Sequence, residues 1–144
     1  MYNLLKPLIF SLDPELAHNI GVIFIKRGIF NFFNTIPSEK LAVRVGNIDF
    51  PTPIGLAAGF DKNAEIFDEI FKIGFGFVEA GTVTPRPQYG NPKPRIFRLK
   101  EDSGLINRLG FNNVGLDEFV SNIVKIKPVN NCQKIGANLG PNKD

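Results

Sequence analysis

The chain has 144 residues, 43% of them hydrophobic and 22% charged, and this balance excludes a disordered chain because it provides enough apolar surface for a packed core. A net charge of +3 is too small an excess to indicate a nucleic-acid partner, since many globular domains carry such an excess on a solvated surface. One cysteine and one histidine can form neither an intramolecular disulfide nor the usual three- or four-ligand zinc site, so no metal is expected.

The N-terminal segment, residues 1–36, is crowded with large apolar side chains and predicts a small helical domain. Asp13 before Pro14 is typical of an N-cap followed by proline at the first helical position, and Gly28 fits a helix end. We therefore expect a helix from about Pro14 to Arg27. A shorter helix is expected before it, around residues 3–10, although Pro7 fits only near a helix start or a kink.

These two helices are apolar over more of their circumference than packing on one soluble core requires. Two interpretations remain open. The helices form a hairpin buried on a neighbouring domain, or they lie in a membrane interface with Lys6, Lys26 and Arg27 available to anionic headgroups. No run reaches the ~20 apolar residues that a membrane span requires.

Residues 37–40 predict a linker, because a proline and small polar residues precede a change in the hydrophobic period. A second domain, residues 41–144, is expected after it. It begins with residues 43–45 and 48–50, which alternate with a period of two around Gly46-Asn47. That pattern indicates a β-hairpin with a two-residue turn.

The next segments predict a β-α-β unit. The apolar run Ile54–Ala58 is typical of a strand covered on both faces, and Phe77–Val83 is the second strand. Between them we expect a helix that is capped by Asn63 and ends at Gly74. Its apolar face comprises Ile66, Phe67, Ile70 and Phe71.

After a long segment without this pattern, the chain returns to the alternation of helix and strand. A helix capped by Asn113 is expected to stop before Pro128, and Lys134–Asn138 predicts a third strand. Such units in series build either an open doubly wound sheet or a closed barrel, and no G-x-G-x-x-G follows the first strand. A complete barrel needs ~250 residues, so the chain would hold its first three strands and leave the third with an open edge.

Polar and small residues follow the C-terminal ends of these strands. In a β/α barrel these ends form the active face. Ala58–Lys62 follows the first strand, Thr82 ends the second and Asn138 ends the third. The glycine in the first of these segments either lets a flat ring approach the backbone or merely makes a turn. Lys62 either pairs with a substrate carboxylate or is an exposed, solvated lysine.

The segment Asn107–Asn113 gathers three carboxamides around one glycine. Amides offer the donors and acceptors needed to read the edge of a planar ring, but the same residues also suit a turn followed by a helix cap. The basic stretch before it, residues 86–108, is interleaved with prolines and predicts a defined extended loop or a hairpin. Few aromatic residues accompany these cations, so nucleic acid is not the expected partner.

Several motifs in the same order and spacing closely resemble class 2 dihydroorotate dehydrogenases, and the resemblance runs along the whole chain. The motifs are Leu12–Glu15 with Ala17-His18, Gly55–Asn63, Gly81–Gln88, Pro94–Leu99, Ile106–Asn113 and Gly140–Asp144.

The resemblance implies an α/β protein with an incomplete (β/α)8 TIM barrel, its first three strands, preceded by the small helical domain. It implies an enzyme that uses flavin mononucleotide (FMN) to oxidise dihydroorotate to orotate in de novo pyrimidine (UMP) synthesis and passes the electrons to ubiquinone or menaquinone. In that family the N-terminal helices form the quinone tunnel and the membrane contact. The implied location is the cytoplasmic face of the cell membrane, or the inner mitochondrial membrane in a eukaryote.

The resemblance also assigns residues. Lys62 looks like a contact of both the flavin and orotate, with its ammonium holding the orotate carboxylate. The expected flavin contacts are Ala58, Gly59, Phe60, Asp61, Lys62, Thr82 and Asn138. The expected orotate contacts are Lys62, Asn107, Arg108, Leu109, Gly110 and Phe111, and the expected quinone-site residues are His18 and Arg98.

The serine that serves as the base in this class would lie beyond Asp144, as would the strands that grip the flavin phosphate. We therefore expect no catalytic residue within these 144 residues and no activity of the isolated chain. A missing C-terminal chain, a split or decayed gene and a truncated record all fit this expectation. The competing hypothesis is a non-catalytic remnant that binds a membrane surface or a protein partner through its apolar helices and open strand edge.

Overall fold

The structure is a computed structural model that describes residues 2–30, 32, 35–126 and 133–143. Cys132 and Asp144 lie outside the described residues. The helix that was expected to stop before Pro128 does so, since it ends at Ile123. The chain opens with two helices, α1 (Tyr2–Ser11) and α2 (Pro14–Lys26). Asp13 caps α2 as expected, because its carboxylate accepts hydrogen bonds from the backbone of Glu15 and Leu16. Pro7 lies inside α1 rather than at its start, so of the two expected positions, a helix start or a kink, the structure excludes the first.

Two antiparallel hairpins and one parallel sheet make up the β-structure. Strands β1 (Val43–Val45) and β2 (Ile48–Phe50) form the expected hairpin, with Gly46 at φ 59° in its turn. Strands β5 (Ile96–Leu99) and β6 (Gly104–Asn107) form the second hairpin, within the basic, proline-rich stretch.

The parallel sheet has the order β3-β4-β7, and its strands are β3 (Gly55–Leu56), β4 (Phe77–Val83) and β7 (Lys134–Leu139). The bounds of β4 are those expected from the sequence, whereas β3 has only two residues instead of the expected five. β3 is short because the chain already turns at Ala58. Among the described residues, the second edge of β7 has no paired strand.

Helices α3 (Phe67–Ile73) and α4 (Leu116–Ile123) connect the strands, and their buried faces build the core with β4. Gly74 ends α3 in the left-handed conformation, at φ 111°, as expected. The fully or nearly fully buried side chains of this core are Ile66, Phe67, Ile70, Phe71, Val78, Ala80, Val83 and Phe119.

Neither expected asparagine cap is observed. The residue before α3 is Ile66, and the amide oxygen of Asn63 accepts instead from the backbone N–H of Val114 at 3.3 Å. The residue before α4 is Gly115, and Asn113 lies buried with Thr84 rather than at the helix end. Both predictions were wrong because hydrogen bonds to residues distant in sequence hold these side chains.

The N-terminal helices contact the rest of the protein through charged and apolar groups. Ile25 is buried, and the ammonium of Lys26 lies 2.7 Å from the Glu65 carboxylate. On the outer face of α1, Leu4 is 84% exposed and Leu8 is 66% exposed. Within the described ranges, no helix has the length and apolar character needed to cross a membrane.

Candidate active site

The ends of the three parallel strands meet at one edge of the sheet. The backbone N–H of Gly59 donates to the Gly81 carbonyl at 2.8 Å, and the N–H of Gly81 donates to the Asp61 carbonyl at 3.0 Å. The parallel register also puts Gly81 opposite Asn138. The structure therefore brings Ala58–Lys62, Thr82 and Asn138 together, although they come from three separate stretches of sequence.

A chain of side-chain hydrogen bonds crosses this edge from β4 to β7. The hydroxyl of Thr82 donates to Asn138 Oδ1 at 2.6 Å, and Asn138 Nδ2 donates to Glu79 Oε1 at 2.9 Å. Each group orients the next, so the amide of Asn138 is fixed from both ends. Sequence reasoning missed Glu79, which lies three residues before Thr82 on the same strand. The alternating pattern of a strand gave no signal that this carboxylate would belong to the site.

Open space lies above the first turn of this edge. A Cβ added to Gly59 would meet no atom of the described residues within 4 Å, and Gly59 has φ +103°, a conformation that favours glycine. By contrast, a Cβ at Gly81 would approach the Asn138 carbonyl oxygen to 2.5 Å. The site therefore combines a tightly packed floor with a free backbone surface, a geometry that suits a flat ring.

Asp61 supports the turn from below. Its side chain is 2% exposed and accepts hydrogen bonds from the backbone N–H groups of Glu65 and Ile66 at 2.9 and 3.0 Å. Burial raises the pKa of this carboxyl, while the two backbone hydrogen bonds oppose the rise. The carboxylate of Asp61 is thus engaged within the protein, and its backbone carbonyl is the part that faces β4.

Lys62 has a different environment. Its side chain is partly buried, and within the described part of the chain its ammonium makes no hydrogen bond or ion pair. Burial lowers the pKa of Lys62, the negative charges of Glu15 and Asp61 oppose that change, and the positive charge of Arg95 adds to it. An ammonium that is partly desolvated and unpaired is equipped to bind an anion.

The loop that carries Phe111 reaches the same edge. A Cβ added to Gly140 would lie 2.7 Å from Cγ2 of Thr82 and 3.8 Å from the ring of Phe111. Because both side chains flank this one glycine, the predicted flavin residue Thr82 and the predicted substrate residue Phe111 are neighbours. Phe111 is 52% exposed and has φ 53°, an uncommon conformation for a residue with a side chain.

A polar network holds this loop in place. Gln88 Nε2 donates to the carbonyls of Gly110 and Phe111 at 3.1 and 3.2 Å, and Asn91 Nδ2 donates to the Arg108 carbonyl at 2.7 Å. The backbone N–H of Asn91 donates to the Leu109 carbonyl at 2.9 Å. The loop is thus fixed through its backbone carbonyls.

Within that loop the predicted substrate residues have different surroundings. Asn107 is exposed at the end of β6, paired with Ile96. Arg108 turns towards the hairpin, since its guanidinium donates to the Pro94 carbonyl at 3.1 Å. Among the described residues the Oδ1 atom of Asn112 has no hydrogen-bond partner although it is buried, and sequence reasoning had considered this residue only as part of the amide cluster.

Arg98 and His18, the predicted quinone-site residues, occupy different surroundings. Arg98 donates to the carbonyls of Phe10 and Leu12 at 3.1 and 2.8 Å and stacks on the Phe10 ring. It lines a cavity of about 830 Å³ between α1 and the β5–β6 hairpin, together with Lys6. Among the described residues, His18 is not part of that lining.

His18 faces instead the turn of residues 58–62, which we name the flavin-type turn because flavin contacts are predicted there. Its imidazole meets the ring of Phe60 edge-on, with 5.0 Å between the ring centroids. Burial lowers the pKa of His18, the nearby Lys62 ammonium lowers it further, and the Glu15 carboxylate raises it. The α2 helix is therefore linked to the strand-end site through an aromatic contact and a shared electrostatic environment.

Fold and site together define an α/β protein whose candidate site residues stand at the carboxyl ends of parallel strands. Residues 40–144 match the family model described as dihydroorotate dehydrogenase. The chain belongs to the dihydroorotate dehydrogenase family, which confirms the resemblance seen in the sequence.

Two curated relatives carry the name dihydroorotate dehydrogenase (quinone). The chain is 51% identical over its whole length to the protein from Azorhizobium caulinodans and 50% identical to that from Xanthobacter autotrophicus. It spans 40% and 41% of the length of these two relatives.

Two solved structures of the enzyme from Eimeria tenella share the fold. One, in complex with ferulenol, matches with a TM-score of 0.80 and 41% identity over 94% of this chain and 39% of its own. The ligand-free form matches with a TM-score of 0.83 and 46% identity over 92% of this chain and 38% of its own. The parallel sheet and its helices therefore correspond to an established α/β fold.

Proposed function

We propose that these residues form the first part of a quinone-dependent dihydroorotate dehydrogenase, which oxidises dihydroorotate to orotate in pyrimidine synthesis. The observation that carries this proposal is the convergence of Ala58–Lys62, Thr82, Asn138 and Phe111 at one sheet edge. The same edge, in a complete (β/α)8 barrel, is where ligands bind. Residues 41–144 would then hold the first three barrel strands, preceded by the helical domain 1–36 and the linker 37–40.

The residues at this edge fit FMN. The free backbone surface at Gly59 accommodates a flat ring, and the hydrogen-bonded pair Thr82 and Asn138 offers polar groups to the ring edge. When bound, FMN supplies the acceptor for the hydride that leaves C6 of dihydroorotate. Ala58, Phe60, Asp61 and Lys62 complete the proposed flavin contacts.

Lys62 has the clearest proposed role towards the substrate. Its partly buried ammonium, which has no partner in the described part of the chain, would bind the carboxylate of dihydroorotate, because an ion pair is strongest where water is partly excluded. Phe111 would cover the site from the neighbouring loop, which the Gln88 amide fixes. The remaining proposed substrate contacts are Asn107, Arg108, Leu109 and Gly110.

Proton removal from C5 requires a base. By family resemblance we assign it to a serine that follows residue 144 in the relatives, together with the phosphate-binding strands. On this proposal the isolated 144-residue chain binds no FMN and has no dehydrogenase activity.

Electrons would leave towards ubiquinone or menaquinone at the α1–α2 side. Supporting this, Arg98 lines the 830 Å³ cavity beside α1, and His18 contacts Phe60 of the flavin-type turn. The exposed leucines of α1 would lie in the membrane interface, so the protein would be peripheral, on the cytoplasmic face of the cell membrane or on the inner mitochondrial membrane.

A chimaera tests this function. Residues 1–144 are joined to the remaining part of the Azorhizobium caulinodans relative and compared with the isolated chain. We expect the chimaera to purify yellow and to reduce a quinone analogue with dihydroorotate, whereas the isolated chain does neither. A folded but colourless chimaera would contradict the flavin site, and a yellow, active isolated chain would contradict the assignment of the base.

The alternative function is that of a non-catalytic module that binds a membrane or a protein partner. The observation that favours it is the exposure of Leu4 and Leu8 on α1. Flotation of the purified chain with liposomes measures this directly. Binding by the isolated chain combined with an inactive, folded chimaera would support the module over the enzyme.

A further inference from the structure

The side chains of Glu15 and Arg95 form an ion pair that is buried where α2 meets the start of β5. Arg95 Nε donates to Glu15 Oε2 at 3.0 Å, and Arg95 Nη2 donates to the other carboxylate oxygen. The side chain of Arg95 is 7% exposed and that of Glu15 12%. This two-pronged contact fixes both the distance and the orientation of the two groups.

Arg95 is itself held rigidly. Its Nη1 atom donates to the carbonyls of Tyr89 and Asn91 at 2.6 and 3.0 Å. The carbonyl of Arg95 accepts from the backbone N–H of Arg108 at 2.9 Å. The guanidinium therefore connects α2 to the loop that carries the predicted substrate residues.

Glu15 is one helical turn from His18, so both side chains lie on the same face of α2. On that face, His18 meets Phe60, two residues before Lys62. The charged groups around His18 are Glu15 on its own helix, Lys62 on the flavin-type turn, and Arg95 and Lys93 beside Glu15. Glu15 is the carboxylate that acts on both His18 and Lys62.

We propose that Glu15 is a positioning residue of the candidate site: held by Arg95, its carboxylate keeps the first turn of α2 in place and so keeps His18 against Phe60, beside Lys62. The contact joins the proposed quinone side to the proposed flavin turn. The effect of this positioning on electron transfer rests on the proposed function, whereas the positioning of His18 against Phe60 does not.

The single histidine makes the proposal measurable in the 144-residue chain as it stands. The ring signals of His18 in NMR spectra report its titration midpoint, and nuclear Overhauser effects (NOEs) to Phe60 report the aromatic contact. In Glu15→Gln we expect the His18 midpoint to move to lower pH, because a negative charge that favours the imidazolium is removed, and the NOEs to Phe60 to weaken. The matched control Glu101→Gln removes an exposed charge and is expected to change neither.

A dispersed spectrum of Glu15→Gln with an unchanged midpoint and unchanged NOEs would overturn the proposal. If Glu15→Gln does not fold, Arg95→Lys decides, because it keeps the positive charge beside Glu15 and removes the forked contact, together with the Nη1 hydrogen bonds to the Tyr89 and Asn91 carbonyls. We expect Arg95→Lys to reduce the NOEs between His18 and Phe60 at least by half, and unchanged intensities would overturn the proposal. None of these measurements needs flavin or dihydroorotate, so their outcome is independent of the proposed function.

Discussion

Thr82 and Asn138 are 56 residues apart in sequence, yet the Thr82 hydroxyl donates to the Asn138 amide oxygen at 2.6 Å. This bond joins the ends of β4 and β7 and sets the geometry of the sheet edge at which the predicted flavin residues meet. A double-mutant cycle with Thr82→Val and Asn138→Leu measures its strength by urea unfolding. We expect a coupling energy of about 1 kcal/mol, the usual net contribution of such a bond. A coupling energy of zero would show that the two strand ends are held by other contacts.

Asp61 predicts a pH dependence of stability. Burial raises its folded-state pKa above the unfolded value of about 3.9, so the folded protein binds the proton more tightly. This contribution to stability is complete below the unfolded pKa and is lost as the pH rises through the folded pKa. We therefore expect the unfolding free energy of Asp61→Asn, relative to the parent protein, to increase with pH over this range. Denaturant unfolding at several acidic pH values tests this, and a difference that does not vary with pH would contradict it.

Two ion pairs that tie α2 to the body should differ in strength. Glu15→Ala leaves the buried guanidinium of Arg95 without its partner, which typically costs about 3 kcal/mol or more. Glu65→Ala breaks the exposed pair with Lys26, where we expect a loss of less than about 1 kcal/mol. Unfolding free energies of both variants, measured at the same pH and salt, provide the comparison. Equal losses would refute the difference that we attribute to burial.

Gly55 and Gly21 should respond to alanine in opposite directions. A Cβ at Gly55 would lie 2.1 Å from the ring of Phe77, so Gly55→Ala forces β3 or that ring to move and should cost about 2 kcal/mol. A Cβ at Gly21 in α2 meets nothing within 4 Å, so Gly21→Ala should stabilise the helix by roughly 0.5–1 kcal/mol. Thermal unfolding of the two variants measures both effects. A stabilised Gly55→Ala protein would show that the strand end is less tightly packed than described.

We expect Lys62 to contribute to substrate binding rather than to folding. In the active chimaera, Lys62→Gln removes the proposed carboxylate partner, and we expect kcat/KM for dihydroorotate to fall roughly 10- to 100-fold, as for the loss of one charge-assisted hydrogen bond. The exposed Lys40→Gln is the matched control and should leave kcat/KM unchanged. Unaltered kinetics in Lys62→Gln would remove this lysine from the substrate site.

Local patterns predicted the elements whose structure depends on neighbouring residues. The apolar run of β4, the capped start of α2 and the turn at Gly46 all follow from interactions within a few residues, and the structure has each of them. We also expected Lys62 and Thr82 at one edge of the sheet, because parallel strands end on the same side.

Local sequence patterns could not predict contacts between distant segments. Asn63 has the side chain of a helix cap, but the backbone of Val114, 51 residues later, donates to it instead. Glu15 fits the first turn of a helix, and nothing near it in sequence indicates Arg95, which is 80 residues away. Such pairs depend on how separate segments pack, and a single sequence does not reveal that.

The contacts that join α1 and α2 to the β5–β6 hairpin can form only after the hairpin has been synthesised. Arg95 and Arg98 follow their partners in the N-terminal segment by 80 to 88 residues. At the usual ribosomal speed of about 5–20 residues per second, the hairpin is made roughly 4–18 s after the helices. The growing chain therefore presents α1 and α2 to membrane surfaces and chaperones for several seconds before the hairpin that contacts them exists.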